Sequence, residues 1–523
     1  MTYKTSVLTL LGAAAMVSTH AAERPNVIFI MADDLGYGDT GCYGATLVST
    51  PNIDRLAAQG RRFTDAHSAS AVSTASRYSL LTGEYPFRGD DKRSDKGGIW
   101  GPLQRESFQL IRPNTQTVAS MMQEQGYKTA GFGKWHLGFG DKKGTNWNKE
   151  LERGPNDVGF DYFFGLPFVS SAPPYVLFRN NKVLGLDPAD PITPIKKGET
   201  PTATPEYPNK SNNTYKGGEA AHALYKDDEL AEVFVEDAKK WINENKDNPF
   251  FVYFASPHIH HPFTPNKRFQ GTSKCGVYGD FIHEFDWMVG ELIKSLEEAG
   301  VADNTLIVLT SDNGAMFNVG AQGAWDAGHR INGDLLGFKF DVWEGGHRVP
   351  FIASWKGHIE EGSVSNQTIS IIDTFATLAS ITGYKLKDGE APDSYNVLSA
   401  LTGKAKQKKQ VRDHFLMSSY RQTHQSLRMG DWIYIPQQGG GGWNNGKRGV
   451  NLLGGIKAAI SVGKVNSDFA KGGKIREDAP KTQLYNIATD PWQTKNVVNE
   501  YPKIAAEMAA KIEEIHFSKM TRK

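Results

Sequence analysis

Short, fully apolar runs of strand length recur along the chain, and three of them end in a polar cluster. Val27-Ile28-Phe29-Ile30-Met31 leads into Asp33-Asp34, Phe250 to Ala255 leads into Pro257-His258-Ile259-His260-His261, and Thr305-Leu306-Ile307-Val308-Leu309 leads into Asp312-Asn313. Runs that are apolar at every position suit strands buried on both faces, as in a parallel sheet covered by helices. Helical spacing appears between them: Leu230, Phe234, Ala238 and Trp241 precede the Phe250 run, and Glu284 to Leu296 precedes the run at Thr305. The pattern predicts an α/β fold with a mostly parallel central sheet. Open α/β sheets bind ligands beyond the carboxyl ends of their strands, so the three polar clusters are expected to form one composite site.

Two regions depart from this rhythm. Residues 140–225 are rich in Pro, Gly, Asn and Lys, and read as a loop-rich insertion at the mouth of the site. Lys404 to Lys409 reads as an exposed linker. Beyond it come Asp431-Trp432-Ile433-Tyr434-Ile435, a glycine-rich stretch from Gly439 to Gly442, and a helical stripe of Ile504, Met508, Ile512 and Ile515. The expected organisation is a catalytic domain over 23–403 and a smaller C-terminal α+β subdomain over 410–523.

Charge narrows the function. The 523 residues carry 59 Lys+Arg against 58 Asp+Glu. A net charge of +1 leaves no electrostatic footprint for a phosphate backbone or an anionic membrane. Lys4, the apolar stretch Val7 to Val17 and the small-residue end at Thr19-His20-Ala21-Ala22 read as a secretory signal over 1–22, too short to span a bilayer. The mature protein is therefore expected in the periplasm or outside the cell. Cys42 and Cys275 are read as two buried free thiols, because a chain this long has core enough without a disulfide.

Asp33, Asp34, Asp312 and Asn313 offer oxygen ligands only, which suits Ca²⁺, with Mg²⁺ second, rather than zinc. A single Asp after a strand is usually a cap. Two adjacent acids raise each other's pKa unless a cation compensates them. Ser73-Thr74-Ala75-Ser76-Arg77, taken alone, reads as a Ser/Thr cap opening a short helix.

Together with Leu81-Thr82-Gly83, that cluster resembles the signature of the sulfatase family of the alkaline-phosphatase-like superfamily, in its Ser-type form. Ser73 stands at the nucleophile position, where Cys is commoner, and Ala75 stands where Pro is commoner. The resemblance extends over nearly the whole mature chain. Arg24 to Gly36 looks like the family's opening strand and metal pair. Gly133 to Gly138, His260-His261-Pro262, Ser311 to Gly314, Lys339 with Glu344-Gly345-Gly346, and Leu484-Tyr485 through Asp490-Pro491 look like its later motifs.

The resemblance implies an alkaline-phosphatase-like domain that hydrolyses a sulfate ester with Cα-formylglycine made from Ser73 by a Ser-type maturation enzyme. It implies Asp33, Asp34, Ser73, Asp312 and Asn313 around the cation, Arg77 holding the nucleophile, and Lys134 and Lys339 on the sulfate oxygens. His260 is implied as leaving-group acid and His136 as the base that regenerates the aldehyde. Trp147, Tyr175 and Arg179 in the 140–225 stretch would suit a carbohydrate, because aromatic faces stack on sugar rings. The expected substrate is accordingly a sulfated polysaccharide such as a carrageenan-like marine galactan. Small aryl sulfates, a phosphoester on the same fold, and a sulfated-glycan binding protein whose Ser73 is never converted stay open as alternatives.

Overall fold

The computed structural model describes residues 24–89, 97–103, 108–202, 213–404, 409–444, 446–450 and 452–522. The expected signal over 1–22 and the middle of the expected linker, 405–408, lie outside the described residues; Lys404 and Lys409 on its flanks are exposed. No helix among the described residues is long and apolar enough to cross a membrane.

Ten strands form the central sheet: β1 (Asn26–Ala32), β2 (Arg61–Phe63), β3 (Lys128–Lys134), β4 (Tyr162–Leu166), β5 (Phe178–Arg179), β6 (Lys182–Val183), β7 (Phe250–Ala255), β8 (Thr305–Ser311), β9 (Phe351–Ser354) and β10 (Ser363–Ser365). Their spatial order is β10-β2-β9-β8-β1-β7-β3-β4-β5-β6. The run β8-β1-β7-β3-β4 is parallel throughout, so all five carboxyl ends open on the same side. β9 joins β8 antiparallel at one side, and β5 and β6 extend the other side antiparallel.

The apolar runs have a direct structural reading. Along β1, Val27, Phe29 and Met31 join one core, and Ile28, Ile30 and Ala32 join another on the opposite face. Successive strand residues point to opposite faces, so a strand apolar at every position must be covered twice. Helices α1 (Ser73–Thr82) and α4 (Thr374–Thr382) cover the first face, and α2 (Leu230–Asn245) and α3 (Val277–Glu298) the second. Leu230, Phe234, Ala238 and Trp241 are all buried along α2, as their spacing predicts.

A second sheet of β11 (Phe415–Ser418), β12 (Gln425–Met429), β13 (Trp432–Ile435) and β14 (Gln483–Asn486) is antiparallel throughout. Its closing helix α5 (Pro502–Phe517) buries Met508, Ile512 and Ile515, with Ile504 half-buried. Tyr434 on β13 joins the large core, whereas Ile433 and Ile435 pack with Leu336, Val342 and Trp343. Each buried Ile contributes ~1.5–3 kcal/mol of transfer free energy, so the small sheet is bonded to the large unit on both faces. The fold is thus mixed α/β with a large, mostly parallel sheet and a smaller antiparallel one.

Two expectations need correction. The 140–225 stretch, expected as loops, supplies β4, β5 and β6 to the central sheet. Its Phe163 and Phe164 face opposite cores, which is the alternation of a buried strand masked by surrounding turn residues. Both cysteines are free, but only Cys275 is buried; Cys42 is half-buried, and burial pushes its thiol up to about 12.

Candidate active site

The four parallel strands β8, β1, β7 and β3 deliver the polar clusters to one place. Asp33 and Asp34 follow β1, His258 to His261 follow β7, Asp312 and Asn313 follow β8, and Lys134 with His136 ends β3. Backbone bonds fasten these ends together: Asp33 N–H donates to His258 C=O at 2.6 Å, Ile259 N–H to Asp33 C=O at 2.7 Å, and Asp312 N–H to Ala32 C=O at 3.1 Å. Every sequence-predicted residue (Asp33, Asp34, Ser73, Arg77, Lys134, His136, His260, Asp312, Asn313 and Lys339) is buried in this region.

Ser73 is the first residue of α1, and Val72 is the N-cap. The plain capping role expected of the Ser/Thr cluster is therefore not what the Ser73 hydroxyl does. Its Oγ accepts from Arg77 Nε at 3.0 Å and from Lys134 Nζ at 2.8 Å. The helix places Arg77 one turn behind the serine, as i,i+4 geometry requires. Arg77 Nη2 also donates to Asp312 Oδ2 at 2.8 Å, and Lys134 Nζ donates to Asp33 Oδ2 at 2.7 Å. Lys339 Nζ reaches Asp34 Oδ1 at 2.5 Å, and Asn313 Nδ2 donates to the same oxygen at 2.7 Å.

Three cations thus face three carboxylates in a dry site. Three oxygens remain without a partner: Asp33 Oδ1, Asp34 Oδ2 and Asn313 Oδ1. Buried polar atoms are normally satisfied, and an orphaned buried acceptor costs ~1–3 kcal/mol. One carboxylate oxygen from each of Asp33, Asp34 and Asp312 lies within 4.8 Å of the others. An oxygen-only set with spare lone pairs fits a hard divalent cation. With it the site carries excess positive charge and favours an anionic ligand.

The backbone is strained where the chemistry gathers. Asp34 has φ +67°, His136 +59° and Phe340, next to Lys339, +80°. Left-handed conformations at non-glycine residues cost ~1–3 kcal/mol each and persist only where surrounding packing enforces them.

The electrostatics separate the bases. Burial lowers Lys134 to about 8 against the opposing pull of Asp33. Burial also opposes charge on Lys339, but Asp34, Asp33 and Asp312 overcome it and hold its pKa above the ordinary value. His136 is pushed well below the usual histidine range by burial and then by Lys134 and Arg77. His260 is lowered likewise by burial, Lys339 and Lys134. His260 Nδ1 lies 2.6 Å from His261 C=O, which fixes the ring, and its Nε2 lies 3.9 Å from Asp34 Oδ2.

Sequence reasoning missed two supports. Tyr253 on β7 places its hydroxyl 3.4 Å from Arg77 Nη1; the one polar atom in an otherwise apolar run was the available signal. Thr74 presents its Oγ1 3.5 Å from the His136 ring and accepts from Leu103 N–H at 2.9 Å. The spare histidines divide: His261 stacks on His260 with centroids 4.3 Å apart, and His258 turns away toward Ser256 and Glu284.

Trp147 and Tyr175, expected as sugar contacts, are buried, whereas Arg179 is partly exposed. Trp147 is buried edge-on against Phe139 and Phe168 and donates to Tyr215 Oη at 3.2 Å. Tyr175 is buried beside Tyr225, and Arg179 pairs with Asp237 at 2.9 Å. These rings complete a core, because composition carries no information on which side of a loop faces solvent.

Comparison with known proteins agrees with this geometry. The Sulfatase family model matches residues 25–384. The chain is 35% identical over 517 residues to an N-acetylgalactosamine-6-O-sulfatase of Bacteroides thetaiotaomicron, covering 94% of this chain and 93% of that protein. It is 32% identical over 388 residues to the human N-acetylgalactosamine-6-sulfatase, covering 74% and 67%. A solved structure concerned with glycosaminoglycan metabolism by Bacteroides thetaiotaomicron superposes with a TM-score of 0.79 at 33% identity, covering 94% of this chain and 99% of that one. These matches make the chain a member of the sulfatase family, a sulfuric ester hydrolase.

Proposed function

We propose that this protein is an exported sulfatase that removes a 6-O-sulfate from N-acetylgalactosamine, or a sugar of the same configuration, in a sulfated glycan. The observation that carries the reaction is the convergence of Arg77 Nε and Lys134 Nζ on Ser73 Oγ, above Asp33, Asp34, Asp312 and Asn313. The sugar is supported by the two relatives named for N-acetylgalactosamine 6-sulfate, at 35% and 32% identity.

Formylglycine at position 73 would supply a stronger nucleophile than serine, and Ca²⁺ held by Asp33, Asp34, Asp312 and Asn313 would supply counter-charge for the sulfate. The remaining work falls to this chain's own side chains. Arg77 and Lys134 fix the residue-73 oxygen with two donors, at 3.0 and 2.8 Å. Lys134 and Lys339, one on each side, stabilise negative charge on the sulfate oxygens as the S–O bond breaks. Because Lys134 also neutralises Asp33, its charge is in place before substrate arrives.

The leaving sugar oxygen departs with the S–O electron pair and takes a proton, for which His260 is the available acid. Lys339 and Lys134 disfavour its protonated form in the free protein. Burial is the larger cause of that lowering, and an anionic sulfate beside those lysines offsets the part that they contribute. His136, held neutral by its surroundings, accepts the proton released when residue 73 returns to its starting state. Overall, the ester and one water become an alcohol and sulfate.

The test is sulfate release from 6-O-sulfated and 4-O-sulfated N-acetylgalactosamine and from an aryl sulfate, with the mass of the Ser73 peptide measured on the same preparation. Release from the 6-sulfate in proportion to the converted fraction is the expected result. Release from the aryl sulfate alone overturns the sugar assignment, and release by unconverted protein overturns the role of residue 73.

A further inference from the structure

The C-terminal unit places an aromatic surface beside the sulfate position. Phe340 follows Lys339, and its ring centroid is 5.5 Å from Lys339 Nζ. Phe340 also packs with Val72, the residue before the nucleophile. Around it stand two rings from the C-terminal unit: Tyr420, edge-on at 5.6 Å, and Trp443 at 6.4 Å, with Tyr420 and Trp443 themselves 5.6 Å apart. The three rings form a continuous step from the buried lysine outward. Phe340 is 7% exposed and Trp443 is 39% exposed.

The Trp443 indole offers an open apolar face next to two further rings. The chain around it is nevertheless tethered. Val342 N–H donates to Gly440 C=O at 2.8 Å, and Tyr420 N–H donates to Phe340 C=O at 3.3 Å. A Cβ on Gly442 would lie 2.2 Å from Asp341 Oδ1, so the glycine lets this loop press against the 340–342 turn. On the other side of Trp443, Asn444 Oδ1 accepts from Lys457 N–H at 3.0 Å. A tethered loop presenting an open aromatic face loses less freedom on binding than a free one.

We propose that Trp443, with Tyr420, is a binding subsite for the sugar ring next to the sulfated one. This rests on the assignment of a sulfated glycan as substrate. The occupant is set by three features: the platform continues directly from Lys339, it is aromatic where it is most exposed, and sugar rings present C–H faces that stack on aromatic rings. A sulfate on Lys339 places the next ring of a glycan outward, over Tyr420 and Trp443. The glycine-rich stretch 439–442 thereby gains a purpose: it carries a recognition residue of the C-terminal unit to the catalytic site.

The test compares wild type, Trp443→Ala and Trp443→Phe, all with measured conversion at Ser73, on three substrates: 6-O-sulfated N-acetylgalactosamine, a disaccharide containing it, and 4-methylumbelliferyl sulfate. Wild type is expected to prefer the disaccharide to the monosaccharide. Trp443→Ala is expected to lose about tenfold in kcat/KM on the disaccharide through KM, the equivalent of ~1.4 kcal/mol of stacking. Its kinetics on the other two substrates stay within about twofold of wild type, and Trp443→Phe recovers most of the loss. Equal losses on all three substrates, or no loss on the disaccharide while both sugars turn over, overturn the subsite alone. If converted wild type releases sulfate from neither sugar, the glycan assignment fails, and the subsite with it.

Discussion

Arg77 Nε donates to Ser73 Oγ at 3.0 Å from one turn along the same helix, and the same Nε–Nη2 edge of its guanidinium holds Asp312 Oδ2 at 3.2 and 2.8 Å. A planar fork can satisfy both at once, and a lysine cannot. Arg77→Lys is therefore expected to lower kcat by about 10²–10³, the range for removing one preorganised donor. Arg77→Ala is expected to add a stability loss of ~3–5 kcal/mol, because buried Asp312 is left uncompensated. Turnover at matched conversion and chemical denaturation check these. A loss under about tenfold for Arg77→Lys contradicts the role of its geometry.

The orphaned oxygens of Asp33, Asp34 and Asn313 predict a cation-dependent stability. Adding Ca²⁺ to chelator-treated protein should raise Tm with concentration, following mass action on the folded state. Asn313→Ala should move that curve to higher Ca²⁺, since one oxygen ligand is removed. Thermal denaturation across a Ca²⁺ series measures both, and a Tm indifferent to Ca²⁺ and Mg²⁺ in wild type refutes the cation site.

In the proposed mechanism His260 protonates the leaving group, so its value depends on how poor that group is. His260→Ala should cost about 10²–10⁴ in kcat on a sulfated sugar and distinctly less on an activated aryl sulfate. Equal losses on both remove His260 from the acid role.

Asp341 ties the Lys339-Phe340 turn to the start of the Gly455–Ser461 helix, accepting from Phe338 N–H at 3.0 Å and Gly455 N–H at 2.9 Å. Burial lifts its carboxyl to about 7. An unfolded Asp titrates near ~3.9, so between roughly pH 4 and 7 the folded state keeps a proton that the unfolded state has released. Stability from this group is complete below that window, declines through it, and is level above. Whatever fixed cost the substitution carries, the Tm of Asp341→Asn relative to wild type should climb from pH 4 to pH 7. A constant or falling difference contradicts the assignment.

Much of this site was legible because it depends on chain order. The parallel strands leave Asp33, His260 and Asp312 at their carboxyl ends by topology, and the spacing from Ser73 to Arg77 is one helical turn. What stayed illegible depends on side-chain direction. Trp147 and Tyr175 looked like ring-stacking residues and are core, whereas Trp443, just past the glycine-rich stretch 439–442, carries no such signal in the sequence and is exposed. No periodicity distinguishes an inward from an outward ring in irregular chain. The left-handed backbone at Asp34, His136 and Phe340 is likewise set by tertiary packing and leaves no trace in residue type.

The central claim is that residue 73 performs the reaction after conversion from serine, held by Arg77 and Lys134. The most direct measurement is sulfate release from 6-O-sulfated N-acetylgalactosamine by preparations whose Ser73 peptide mass gives converted fractions from none to nearly complete, with Ser73→Ala alongside. The account predicts a rate proportional to the converted fraction and no turnover by Ser73→Ala with its folded stability intact. A rate independent of that fraction, or turnover by Ser73→Ala, would contradict it.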